Sequence, residues 1–325
     1  MTMKDNLQSF SRKYFRERGS IAILSLWAVT FLAIFAVAVA GLVSANSDAA
    51  GRIKRMAEAD AVSGRAFEEA LSVIEGDKNQ GYDVLSEGWA DDKTRFKEVA
   101  FSGVRYSLLG EEERFGLTDE EGKININRVP ADVLSRVFQI LGQMSPSEAE
   151  KFSLSLVDWR DANMVKEGGK ENETEECEKL QKPYSCKNAD LEALEELWWI
   201  PGMSAKVFEK IRGAVTLYGL GQVNINTADV DTLRCLGLSY GAAQTITGSR
   251  KNVIFEQTSQ IGPAAETLGL GGEDKAGLER AVTSGLLGVR SDVYRGNLVI
   301  DFGGRRRKNI GFVVNRNGEL KSWNE

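Results

Sequence analysis

The chain has 325 residues, with 41 lysines and arginines against 47 aspartates and glutamates, and it has no histidine. A formal charge of −6 works against binding a phosphate backbone. Without imidazole there is no Ser-His-Asp or Cys-His catalysis and almost no catalytic zinc chemistry, so the chain does not read as an enzyme.

Ser20 to Ser47 is a run of 28 residues without a charge. As a helix it would be about 42 Å long, enough to cross a hydrocarbon core of about 30 Å. Arg12, Lys13, Arg16 and Arg18 precede it. A basic flank on that side holds the N-terminus in the cytoplasm and sends the rest of the chain across. A secretory signal has an apolar core of about 7–15 residues followed by its cleavage site. Here the only processing-like sequence, Arg18-Gly19-Ser20, stands in front of a longer run.

Residues 51–76 continue the helix. Ala66, Phe67, Ala70, Leu71 and Ile74 fall at spacings of three and four and make one apolar stripe, which needs a sheet to cover it. Gly76 is the expected stop. Strands are expected over Val99–Phe101, Val104–Leu109 and Glu113–Thr118, with Asp119-Glu120-Glu121-Gly122 as a turn.

From there to about residue 285 short helices prevail. Gly122-Lys123-Ile124-Asn125-Ile126-Asn127 returns as Gly221-Gln222-Val223-Asn224-Ile225-Asn226, 99 residues on. Each copy reads as an extended piece, an Asn able to cap a helix, and a helix. Between them, Pro201-Gly202 joins two amphipathic segments as in a helix-hairpin-helix, with Trp198 and Trp199 expected in the core.

The end returns to strands: Leu298–Phe302, Ile310–Val314 and Glu319–Trp323 form an antiparallel meander, with Asn317-Gly318 as a hairpin turn. Arg305–Lys308 reads as a solvated hairpin tip. The two strand sets need each other to cover the stripe. The expected class is therefore α+β: a long N-terminal helix on an antiparallel sheet, interrupted by a large, mostly α-helical insertion of helix-hairpin-helix or SAM-like type.

The basic leader ending in Gly19 and followed by the apolar helix resembles the leader of type IV pilins and type II secretion pseudopilins. In that family a prepilin peptidase cuts after the Gly and the new N-terminus is methylated, which here implies Gly19 and Ser20. Most members carry Glu at the fifth mature position. This chain has Leu24, as the K minor pseudopilin lacks that Glu. Further motifs resemble the K family in order: Leu156-Val157-Asp158-Trp159-Arg160-Asp161-Ala162-Asn163, Gly169-Lys170-Glu171-Asn172, Lys182–Ala189, Pro201-Gly202-Met203 and the terminal Trp323-Asn324-Glu325.

The resemblance implies a pilin-like fold divided as leader 1–19, transmembrane helix 20–47, stalk helix and first strands 48–118, helical insertion 119–285 and closing strands 286–325. It implies an inner-membrane, single-pass protein with a periplasmic main domain. Its role would be at the pseudopilus tip, initiating or capping assembly with the I and J subunits and the major pseudopilin for export across the outer membrane. It also implies calcium held by Asp158, Asp161, Asn163, Glu171 and Asn172. Oxygen donors suit such a cation, although Asn163 and Asn172 stand where the family has carboxylates. The alternative for that stretch is an acidic solvated loop. Cys177 and Cys186, nine apart, can pair outside the cytoplasm or remain free thiols, and Cys235 reads as a buried apolar residue. A second reading is a membrane-anchored DNA receptor of the competence type. Val223–Ala228 is similar to the opening of its helix-hairpin-helix domain, but the second hairpin, Cys235–Gly241, lacks the Pro-Gly-x-Gly pattern.

Overall fold

The computed structural model describes residues 3–160, 187–304 and 306–324, and the chain divides into two units, 1–61 and 62–325. The first unit is helical, as α1 (Met3–Glu75), which also opens the second. Along this first unit the large apolar side chains from Ile21 to Val43 are exposed. The hydroxyls of Ser25 and Thr30 donate back to the carbonyls of Ala22 (2.9 Å) and Leu26 (2.8 Å), which removes their demand for water. Among the described residues this is the one helix long and apolar enough to cross a membrane.

In the second unit, α1 presents Val62, Ser63, Ala66, Ala70 and Ile74 as a buried face, with Phe67 and Leu71 half-buried beside it. Small residues at this spacing let a helix lie close to a sheet. Phe67 meets Phe312 edge-on at 5.3 Å and Trp323 at 6.2 Å, and the Trp323 ring stacks on Phe312.

Helix α2 (Lys93–Phe96), capped by Asp92, leads to β1 (Val99–Phe101), β2 (Val104–Leu108) and β3 (Thr118–Asp119). The helical insertion follows with β4 (Ile124–Asn125), α3 (Ala131–Ile140), α4 (Pro146–Arg160), a 3-10 turn at Leu194–Trp199, α5 (Ala205–Ile211) and β5 (Val215–Thr216). Its second half holds β6 (Val223–Asn224), α6 (Val230–Cys235), α7 (Tyr240–Ser249), a 3-10 turn at Thr258–Gln260, α8 (Ile261–Thr267), α9 (Gly272–Thr283) and β7 (Leu287–Gly288). The chain closes with β8 (Val293–Asp301), β9 (Arg307–Asn315) and β10 (Leu320–Asn324).

The main sheet is antiparallel throughout, in the order β1-β2-β8-β9-β10, and β3 extends the β2 side of β8. The two strand sets do complete each other, at β2–β8, where Tyr106 faces Ile300. Gly296 faces Phe312 across β8–β9, and a side chain there would run into the Phe312 ring. Asn317-Gly318 makes the β9–β10 turn, with Gly318 at φ 86°.

The insertion is a repeat in three dimensions. Each half is closed by a two-residue parallel pair, β4–β5 and β6–β7. The Asn125 side chain accepts from the Asn127 backbone N–H at 2.9 Å, and Asn224 accepts from Asn226 at 3.0 Å. Asn127 exchanges two hydrogen bonds with the Leu191 backbone, and Asn226 does so with Phe255. Arg160 donates to the carbonyls of Ile126 and Val129, and Arg250 to those of Ile225 and Ala228. One apolar core runs through both halves, from Ile124 to Val289, and includes Cys235, whose thiol is pushed up to about 12 by burial.

Three local expectations are corrected. The Asn residues do not cap helices: Pro130 and Asp229 occupy those positions, and each Asn side chain is spent on a turn and a distant loop. Residues 113–117 are not a strand. Gly110 N–H bonds the Arg114 carbonyl, Glu112 and Glu113 take positive φ, and only Leu109 and Phe115 form a bridge. The segment before Pro201 is a 3-10 turn rather than an amphipathic α-helix. With three residues per turn, Leu194, Leu197 and Ile200 point inward and the tryptophans do not. Trp198 is therefore 46% and Trp199 60% exposed, with the Trp198 ring against Phe208 at 5.0 Å. Asp119-Glu120-Glu121-Gly122 does turn as expected, with Lys123 N–H on the Glu120 carbonyl at 3.2 Å, and its three acids are buried.

Candidate functional site

The residues named for calcium and the disulfide cluster around 158–186. Asp158 lies on α4 and is buried at 8% exposure. Asp161, Asn163, Glu171, Asn172, Cys177 and Cys186 lie outside the described residues. The chain ends flanking them are held together. Asn188 N–H donates to the Trp159 carbonyl at 3.0 Å, Lys187 pairs with Glu196 at 2.9 Å, and Asn127 ties down Leu191. The second half has only residues 251–254 between Arg250 and Phe255, so the acidic stretch stands where the repeat is otherwise short. Gly19 and Ser20 fall within α1.

The structure brings together a different cluster, where the insertion meets the sheet. The chain enters the insertion through Asp119–Lys123 and leaves it through Val289–Val293, and four buried carboxyl groups meet there: Asp83, Asp119, Glu120 and Glu121. Asp83 accepts from Ser291 N–H (2.7 Å) and the Tyr294 hydroxyl (2.7 Å) and pairs with Arg316, which also reaches Asp77 at 3.2 Å. Burial raises the Asp83 carboxyl despite these partners. Glu120 pairs with Arg295 (2.7 Å) and Lys123 (3.1 Å) and accepts from the Thr216 hydroxyl. Burial acts against its charge, but the two cations and the hydroxyl hold Glu120 down at about 2.

Asp119 accepts from Ser291 Oγ and Thr227 Oγ1 at 2.5 Å, from Asn224 Nδ2 at 3.2 Å and from Glu121 N–H at 2.8 Å. Glu121 accepts from Val293 N–H at 3.0 Å, and its carbonyl takes Asn224 N–H at 2.8 Å. Burial first, and then Asp83 for Asp119 and Asp119 for Glu121, push both acids upward. The cluster joins the post-α1 loop, both repeats and β8 through side chains. What it can do is fix the insertion on the sheet. Sequence reasoning missed it because the partners lie up to 233 residues apart.

The helix-hairpin-helix geometry is present in the second half as α6, a turn with Gly237 at φ 101°, and α7. A phosphate-binding hairpin needs free N–H groups at this turn. Here Ser239 N–H and Oγ both donate to the Asp274 carboxylate, at 2.8 and 2.9 Å. A protein carboxylate already holds the place an anion would take.

Residues 115–220 match the protein family described as "Type II secretion system (T2SS), protein K". No curated protein sequence matches the chain. Among solved structures, the fold matches one chain of the crystal structure of the GspK-GspI-GspJ complex from the enterotoxigenic Escherichia coli type 2 secretion system. The TM-score is 0.67 at 19% identity, over 83% of this chain and 96% of that one. The likeness to protein K is therefore one of sequence over 115–220, and over most of the chain the likeness is one of fold to a chain of that complex.

Proposed function

We propose that this chain is a K-type minor pseudopilin, a non-catalytic, membrane-anchored subunit of a type II secretion system. The observation that carries the reading is the protein K match over 115–220, lying in the inserted part of a fold whose first helix is a membrane-length apolar run. The subunit would sit in the inner membrane with the second unit in the periplasm, cut after Gly19 and methylated on Ser20. It would assemble with I- and J-type minor pseudopilins and the major pseudopilin at the pseudopilus tip. Leu24 in place of a Glu removes the need for a neighbour above it, and the helical insertion is the bulk that would stop further stacking.

Calcium on Asp158, Asp161, Asn163, Glu171 and Asn172, and a Cys177–Cys186 disulfide, belong to the same proposal. The buried carboxyl of Asp158, beside two stapled chain ends, is a reasonable first oxygen donor for a hard cation. Chelation is then expected to lower the melting temperature, and an unchanged melt in excess chelator would remove calcium from the account. The function itself is tested by the intact mass of the protein taken from its native membrane. A chain beginning at methylated Ser20 supports the proposal, and one beginning at Met1 makes α1 a plain anchor.

A further inference from the structure

Among the described residues, two of the four buried carboxyl groups at the joint have cations and two have none. Arg316 answers Asp83, and Arg295 with Lys123 answers Glu120. Asp119 and Glu121, two residues apart, are held among the described residues by hydroxyls, an amide and backbone N–H groups. Two buried charges without counter-ions cost far more than one, so such a pair retains a proton. We propose that Asp119 and Glu121 hold one proton between them and that this proton keeps the helical insertion seated on the sheet, so that its loss to solvent loosens the joint.

Hydrogen bonds from Ser291, Thr227 and Val293 relieve the pair in part, but the charged groups around it do not. On the loop after α1, Asp83 adds negative charge to Asp119. On the outgoing segment, Asp292 adds it to Glu121. Across β8, Arg295 is committed to Glu120, and Tyr294 donates to Asp83. Arg316, from the β9–β10 turn, is committed to Asp77 and Asp83. On the first repeat, Gly219 is packed so closely that an added Cβ would lie 2.5 Å from Glu121 Oε1, which leaves no room for a cation's side chain there. On the second repeat, Asn224 and Thr227 are neutral.

The sign follows from the direction of the shift. An acid raised in the folded state favours the protonated form, so the seating is complete at low pH and fades as pH rises through the folded value. The contacts that would give way are those across the joint that bring Asp119, Glu121 and Asp292 together, while the Val293 N–H bond to the Glu121 carboxyl itself favours the charged form. The β8–β9 ladder does not depend on them.

The test uses the full chain in lipid nanodiscs and follows hydrogen exchange, corrected for intrinsic rate, between about pH 6 and about pH 10. Residues 119–127 and 286–293 are expected to lose about tenfold in protection while residues 296–301 hold, and Glu121→Gln is expected to keep its protection throughout. No loss in the natural chain, or an equal loss in the variant, overturns the proposal. Infrared spectroscopy gives a second readout that needs no variant. A carbonyl stretch of a protonated carboxylic acid should be present at neutral pH and gone at about pH 10, and its absence at neutral pH overturns the proposal as well.

Discussion

Glu120 shows at the scale of one residue why the joint is stable at neutral pH. Its carboxylate is fully buried between Arg295 and Lys123. Removing one member of such a set leaves buried charge uncompensated, so Glu120→Gln should cost about 3 kcal/mol at pH 7. The pH dependence has a definite sign. A carboxyl held at about 2 contributes stability that is complete above its ordinary value of 4.5 and is lost as pH falls through 2. The difference between the natural chain and the variant, followed by denaturant melts, should therefore shrink across that window. A constant difference would mean that the pairing with Arg295 is not what the carboxylate supplies. Asn226 is a second such residue. It exchanges two hydrogen bonds with Phe255 in a fully buried position, and Asn226→Ala should cost about 2–3 kcal/mol, read as a drop in melting temperature.

The elements show which parts of the fold could be read in advance. The α1 stripe was legible because Ala66, Ala70 and Ile74 obey the helical period and that face is buried. The closing meander was legible because Asn317-Gly318 is a turn with a mechanism. Trp198 and Trp199 were misplaced because the segment follows a three-residue turn instead of the α period. The two periods make opposite statements about mutants. Leu197→Ala should destabilise by about 2–5 kcal/mol, since Leu197 is fully buried, and Trp198→Ala by about 1 kcal/mol or less. A melt in which Trp198 proved the costlier truncation would contradict the 3-10 assignment. At Asp119–Gly122 the turn was legible, but its burial was not. Three acids before a glycine suit a solvated turn, and nothing local announces Arg295, Asn224 and Ser291 as partners. The Asn pairs were half-legible: the repeat showed in the sequence, but the loops they hold, at Leu191 and Phe255, did not.

At the scale of the whole molecule, the sequence order of helix, strands, helical block and strands translates directly into one antiparallel sheet with an internally repeated insertion. The parts divide by task. The first unit is an apolar helix suited to a bilayer, and the second unit is a sheet whose loops carry the insertion. The acidic stretch proposed for calcium lies in the longer of two corresponding segments, between Arg160 and Leu191 in the first repeat against Arg250 and Phe255 in the second. The most direct measurement is co-expression of the full chain with the I- and J-type minor pseudopilins of its own secretion system, followed by purification through a tag on the I subunit. The account predicts that all three emerge as one complex. An I–J pair that forms and leaves this chain behind would contradict it.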